Sequence, residues 1–439
     1  MNHSIDTVAV IGAGTMGAGI AGVCAAAGCE VLLYDVDVER VQAAIGRLSG
    51  GRNPAISEEQ AGRISACAVD SDLDRVASAD WICEVIIEDL AAKRALFGKL
   101  EALRKDGSII TSNTSGIPLR DLYDGMPERF RRDVAVTHFF NPVHIMRLLE
   151  LVTGPDTSAE VKAALVEFLG TRLGKGVVYA KDTVNFIGNR IGCFWMLAGL
   201  HMARDARADG VSMELVDALM SKPCGLPPTG LYGLIDLIGL DVMDFVGKNL
   251  AGNLPDGDPG APYASFPAEV QALFDAGQLG RKTGGGFYKM TKHPDGSKTK
   301  ESYDLDAGAW RAAQQVQLSP EHADYTTLLF ADDAAGHFAW QLMGTTLCYA
   351  ADLVPEIADD IVNVDRAMRW GFNWAQGPFE MLDGLDPQQV IARLEAEGKA
   401  VPKMLATLRA SGQASFYRDT ANGAEYLGSD GRYHAVPAE

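Results

Sequence analysis

Short apolar runs and glycine-bearing turns alternate through the first third of the chain, and long apolar stripes replace them from Thr183 onward. The stretch DTVAVIGAGTMGAGIAGVCAAAGCEVLLYDVD reads as strand, glycine turn, helix, strand. Its run Val8–Gly28 has the length of a membrane span, but the glycines and the change of period argue against one. ADWICEVII is strand-like and leads into EDLAAKRALFGKLEALR, an amphipathic helix starting near Glu88. SIITSNTSG is another strand ending in a polar turn, and IPLRDL starts a helix. AVTHFF follows as a strand broken by Pro142, and LLELV reads as a second short buried strand.

Beyond Thr183 the period is helical. VNFIGNRIGCFWMLAGLHMARDA predicts a long, mostly buried helix and MELVDALM another, whereas AGNLPDGDPGAPYASFP is a Pro/Gly-rich loop. KMTKHPDGSKTKE reads as an exposed hairpin about a Pro-Asp-Gly turn. A repeat is also visible: VDALMSKPCGLPPTGLYGLIDLIGLD around Val216 is echoed by VDRAMRWGFNWAQGPFEMLDGLD around Val364. The expected fold is an α/β Rossmann-type N-terminal domain (1–182) followed by an all-α C-terminal region made of two repeated helical domains, 183–290 and 326–420. A linker with a hairpin (291–325) and a tail (421–439) complete the expected organisation.

Composition narrows the class. A 439-residue chain implies more than one core, and 47% apolar with 22% charged residues is ordinary for a globular protein. The formal charge of −19 argues against nucleic acid as a partner and leaves an anionic ligand to local cations or helix N-termini. Seven cysteines without a C-x-x-C point to reduced, buried thiols, a reducing cytoplasmic setting and no metal site. The N-terminus lacks a basic region and enters a strand almost at once, so no signal peptide is expected.

The candidate chemistry gathers at turns and strand ends. Gly12, Gly14 and Gly17 fill a G-x-G-x-x-G turn between strand and helix, and Asp35 closes the next strand where it can bind a ribose hydroxyl. An acid there repels a 2′-phosphate, so NAD is expected rather than NADP. Glu88, Ser115 and His138 follow three strands at the ends where ligands collect, and Lys93 lies one to two turns into the helix after Glu88. Glu150 inside LLELV is costly unless paired, and His138 is its natural partner. Such a pair gives a base suited to neutral pH.

The ordered set GAGTMG, YD, IIEDLAAK, SNTS, HFFNP, LLEL, KDTVNFIGNR and RKTGGGFY resembles the NAD-dependent L-3-hydroxyacyl-CoA dehydrogenase family of β-oxidation. RWGFNWAQGPFEMLD and ASFY resemble most the dehydrogenase part of bacterial proteins fused to an enoyl-CoA hydratase, although nothing in this chain resembles a crotonase domain. The resemblance implies oxidation of (S)-3-hydroxyacyl-CoA to 3-oxoacyl-CoA, with His138 as general base and Glu150 orienting it. It places Ser115, Asn141 and Asn189 around the substrate oxygens and the nicotinamide. Gly12, Gly14, Met16, Gly17, Asp35, Glu88, Lys93 and Lys282 are implied NAD contacts. An acyl-CoA substrate and a separate hydratase or thiolase are the implied partners. Single-function members dimerise through the helical domain, so the second copy here is expected to replace a partner subunit in an internal pseudo-dimer.

Two departures stand out. Gly116 replaces the family's usual second serine after SNTS, and Val184-Asn185 replaces a frequent Pro-Gly. Arg47, Arg52 and Arg63, in the short segment between Asp35 and Trp81, are expected to be solvated rather than phosphate contacts. Two other readings remain open at this level. One is a β-hydroxyacid dehydrogenase acting on a small non-CoA acid through a catalytic lysine. The other is a non-enzymatic NAD-binding or structural protein on the same scaffold.

Overall fold

The computed structural model describes residues 4–293 and 295–438. Pro294 of the expected Pro-Asp-Gly turn lies outside them, as do residues 1–3, on which the reading of the N-terminus partly rests. The chain forms two compact units: the first runs through Ile187 and takes in Glu356–Asp359, and the second comprises Gly188–Pro355 and Asp360–Ala438.

Apolar runs buried on both faces make the sheet of the first unit. Its strands are β1 (Thr7–Ile11), β2 (Glu30–Asp35), β3 (Ile64–Ala68), β4 (Trp81–Glu84), β5 (Ile109–Ser112), β6 (Val134–Phe139), β7 (Leu148–Thr153) and β8 (Gly176–Ala180). They lie in the order β3-β2-β1-β4-β5-β6-β7-β8. The order reverses between β1 and β4, the crevice where such sheets take their ligands. All pairs are parallel except β6 with β7, because only the eight residues from Phe140 to Arg147 separate them, too few for a crossover. The helix Thr15–Ala26 buries Gly17, Ala18, Ala21 and Gly22, small residues that let it lie close to the sheet. The helix expected near Glu88 is Leu90–Leu103, capped by Asp89, whose carboxylate accepts from Ala92 N at 2.7 Å.

The second unit departs from the sequence reading in two ways. Its first helix spans Gly188–Ala206 rather than starting at Val184, since Asn185 and Phe186 take φ of 58° and 51°. The region is also not all-α, and the exposed hairpin expected in KMTKHPDGSKTKE is present but is only part of its strand content. It carries two three-stranded antiparallel sheets, β9 (Tyr288–Lys292), β10 (Lys298–Asp304) and β11 (Ala309–Ala312), then β12 (Tyr417–Thr420), β13 (Gly423–Leu427) and β14 (Tyr433–Ala435). These strands are short and mostly exposed, so no apolar alternation announces all of them.

One hydrogen-bond pattern occurs twice in this unit. Asp217 accepts from the backbone N–H groups of Tyr232 and Gly233, and Asp365 accepts from those of Phe379 and Glu380. Asp236 accepts from Phe287 N and Tyr288 N, each at 2.8 Å; Asp383 accepts from Phe416 N and Tyr417 N at 2.6 and 2.8 Å. Burial raises all four carboxyls, Asp217 to about 7 and Asp236 and Asp383 to about 6.

Candidate active site

Strand pairing sets the central geometry. His138 on β6 stands directly opposite Glu150 on β7. Their side chains therefore share one face at the closest cross-strand distance. His138 Nδ1 lies 2.7 Å from Glu150 Oε2, with His138 3% exposed and Glu150 fully buried. The other carboxylate oxygen accepts from Ile187 N at 3.0 Å. That amide is delivered by the left-handed turn at Asn185 and Phe186, and the Phe186 ring leans on the imidazole at 5.7 Å. An ionised carboxylate only accepts, so it holds the proton on Nδ1 and leaves the lone pair of Nε2 outward. Ser115 Oγ sits 3.0 Å from that nitrogen, where its hydroxyl can donate.

Carboxylates hold the loop that presents Ser115. Glu88 Oε1 accepts from Ser115 N at 3.0 Å, from Gly116 N at 3.3 Å and from the Thr114 hydroxyl. Behind it, Lys93 Nζ lies 2.6 Å from Glu84 and 3.2 Å from Glu88. Lys93, expected as a cofactor contact, is thus 1% exposed between two acids. Asn113 Oδ1 accepts from Phe139 N at 2.9 Å and ties the loop to β6 beside His138. Sequence reasoning overlooked Glu84, Thr114 and Asn113. A carboxylate closing the apolar strand WICE carried the same signal that singled out Glu150.

The glycine turn has the shape of a dinucleotide cradle. A Cβ on Gly12 would meet Val85 O at 2.4 Å, and one on Gly17 would meet Gly12 O at 1.8 Å, so neither position tolerates a side chain. Gly14 faces open space at the N-cap of Thr15–Ala26, whose first N–H groups have no side-chain cap. That leaves donors for a pyrophosphate. Met16 is half-buried one residue into the helix. Asp35 accepts from Ala13 N at 2.9 Å and Val36 N at 2.8 Å, fixing its carboxylate at the end of β2. These residues fit NAD.

Asn141 is exposed just past β6. Asn189 and Lys282 belong to the second unit. Asn189 is the second residue of the helix Gly188–Ala206, and Lys282 pairs with Asp241 there. Of Arg47, Arg52 and Arg63, Arg63 pairs with Glu30 at 3.1 Å.

Two family descriptions match the chain: 3-hydroxyacyl-CoA dehydrogenase, NAD binding domain, over residues 7–183, and 3-hydroxyacyl-CoA dehydrogenase, C-terminal domain, over 186–290. A probable 3-hydroxyacyl-CoA dehydrogenase of Caenorhabditis elegans is 37% identical over 66% of this chain and 97% of its own length. The chain belongs to the 3-hydroxyacyl-CoA dehydrogenase family. A solved structure of this family, 3-hydroxybutyryl-CoA dehydrogenase from Escherichia coli, is similar with a TM-score of 0.70 and 26% identity, covering 93% of this chain and 99% of that one. A fatty acid oxidation complex subunit alpha of Psychrobacter arcticus is 30% identical over 94% of this chain and 56% of its own. The chain spans little more than half the length of such longer relatives. As a 3-hydroxyacyl-CoA dehydrogenase family member it carries an NAD-binding domain, and among its described residues no helix is long and apolar enough to cross a membrane.

Proposed function

We propose that the chain oxidises (S)-3-hydroxyacyl-CoA to 3-oxoacyl-CoA with NAD, as in fatty-acid β-oxidation. The observation that carries this reading is the relay Ser115–His138–Glu150, with contacts of 3.0 and 2.7 Å. A secondary alcohol is a very weak acid, so its proton must leave as the hydride departs. Nε2 of His138 takes that proton, and Glu150, already bonded at Nδ1, stabilises the imidazolium that forms. Bound NAD supplies the hydride acceptor. Ser115 and Asn141 are read as polar groups around the substrate oxygens and the nicotinamide, favouring the carbonyl-like transition state, and the family resemblance adds Asn189 to them. Gly12, Gly14, Met16, Gly17, Asp35 and Glu88 hold the cofactor in this reading, and the family resemblance adds Lys282.

A small-acid dehydrogenase needs a lysine free to act on substrate. Lys93, the lysine bonded to the acid that holds the Ser115 loop, is engaged by Glu84 and Glu88, which weighs against that reading. A purely structural protein has no use for a histidine aligned between an acid and a hydroxyl. The test is steady-state NADH oxidation with acetoacetyl-CoA and longer 3-oxoacyl-CoAs. Turnover is expected, with His138→Gln lower by several orders of magnitude while still binding NAD; near-normal turnover in that variant overturns the mechanism.

The second half of the helical unit is read as a duplicate standing in for a partner subunit, with one active site and a structural second copy. The paired carboxylate staples at Asp217 and Asp365, and at Asp236 and Asp383, support this. The copies also touch: Ala375 N donates to Gly225 O at 2.8 Å, and the Trp195 and Trp374 rings meet edge-on at 6.3 Å. Longer relatives named as oxidation-complex subunits support a hydratase or thiolase as partner. Seven free thiols suit a reducing cytoplasm.

A further inference from the structure

We infer that Glu84 and Lys93 are positioning residues for catalysis, a buried charge pair that sets where the Ser115 hydroxyl meets His138. The inference rests on the dehydrogenase reading and gives a role to a residue, Glu84, which that reading leaves idle. Glu84 is fully buried at the end of β4 and Lys93 is 1% exposed. Together with Glu88 they form a cluster of two carboxylates and one ammonium, in which only Glu88, 17% exposed, reaches toward solvent.

Both carboxylates of this cluster reach the catalytic loop. Glu84 Oε1 accepts from Ile86 N at 2.7 Å as well as from Lys93, and Oε2 accepts from Ser112 Oγ at 2.5 Å. Ser112 Oγ in turn accepts from Thr114 N at 3.1 Å. The Glu84 carbonyl accepts from Asn113 N at 2.8 Å. From the other side Glu88 takes the amides of Ser115 and Gly116. The loop from Ser112 to Gly116 is therefore gripped by two carboxylates, and one ammonium fixes the distance between them. A core that needed only stability would do as well with apolar side chains here, since buried ion pairs rarely stabilise more than a well-packed hydrophobic isostere. What the pair supplies is direction: charged, charge-assisted hydrogen bonds with little freedom to shift. Misplacement of a reacting group by about 1 Å costs on the order of 100-fold in rate.

The test is a double-mutant cycle on the full chain with Glu84→Gln, Ser115→Ala and both together. Ser112→Ala serves as a milder second variant, because it cuts only the link from Glu84 to the Thr114 amide. Glu84→Gln and Ser112→Ala are expected to lower kcat about 10- to 100-fold, with the calorimetric Kd for NAD changed less than about threefold. In the Ser115→Ala background either change is expected to cost less than about twofold, since the group they position is gone. In the cofactor-free protein, the 15N shift of His138 Nε2 should move in Glu84→Gln as it does in Ser115→Ala. Equal losses in both backgrounds, an NAD Kd that weakens in step with the rate, or an unmoved Nε2 resonance would each overturn the inference. Loss of the dehydrogenase reading looks different: the unmodified chain would then show no turnover, or Ser115→Ala and His138→Gln would both turn over as it does. Should Glu84→Gln fail to fold, Ser112→Ala alone carries the cycle and decides it.

Discussion

His138 and Glu150 face each other across the one antiparallel junction of an otherwise parallel sheet, with Nδ1 and Oε2 2.7 Å apart. The pairing is a matter of register, because a slip of one residue would turn Glu150 to the opposite face. Register thus keeps the carboxylate and the imidazole on one face of the sheet. Glu150→Gln should keep the fold but let the amide select the wrong tautomer. We expect kcat to fall on the order of 10³- to 10⁴-fold with NAD affinity preserved, as read by stopped-flow hydride transfer and calorimetry. A loss under tenfold would show that the acid is dispensable.

Asn185 occupies φ 58° just before the Ile187 amide that Glu150 accepts. Asparagine tolerates that conformation better than any residue but glycine. Asn185→Gly should leave kcat within about twofold, whereas Asn185→Val should destabilise the protein by roughly 1–3 kcal/mol and lower kcat with it. Thermal unfolding and initial rates measured on both variants decide the matter. If valine behaves as glycine does, the backbone strain is not felt at the site.

Asp35 closes β2 with its carboxylate held by two backbone amides. Asp35→Ser should weaken NAD binding about tenfold and narrow the preference over NADP, since the charge that repels a 2′-phosphate is gone. Fluorescence titration with both reduced cofactors reads this directly. Unchanged discrimination would place the selectivity elsewhere.

Burial holds Asp236 and Asp383 up to about 6 in the folded chain. A carboxyl raised in this way favours its neutral form on folding, so its contribution to stability is fully present below the unfolded value near 4 and is lost as pH rises through 6. Glu214 and Glu397, held down to about 2, act the other way only below about pH 4.5. Between pH 7.5 and 5 the raised groups therefore govern, and urea unfolding should show stability rising on acidification. Asp236→Asn should flatten that slope by an amount on the order of 1 kcal/mol across the window. A slope unchanged in that variant would remove Asp236 as its source.

Much of the first unit was legible because parallel strands buried on both faces write long apolar runs. β1, β2, β4, β5, β6 and β7 all announce themselves in this way. Strands β3 and β8 did not: ISACA and GVVYA each mix exposed with buried positions at the end of the sheet. The relay was legible because an acid inside LLELV needed a partner. The Glu84–Lys93 pair escaped because a lysine on an amphipathic helix resembles any solvated lysine until the fold closes over it. Likewise, Asn185 is compatible with a left-handed turn, but nothing local in VNFIGNR shows that Phe186 takes one too. That conformation is imposed by the Glu150 carboxylate and by the packing of Phe186 on His138.

The segment Glu356–Asp359 returns from the middle of the helical sequence to the first unit, where Ile357 O accepts from Lys181 N at 2.9 Å and Asp359 pairs with Lys181 Nζ at 2.8 Å. The nucleotide-binding unit is consequently not contiguous in synthesis. A ribosome that has released residue 187 has made its sheet but not its last tie, which arrives some 170 residues later. Completion of the amino-terminal unit is thereby timed by translation of the second half of the chain.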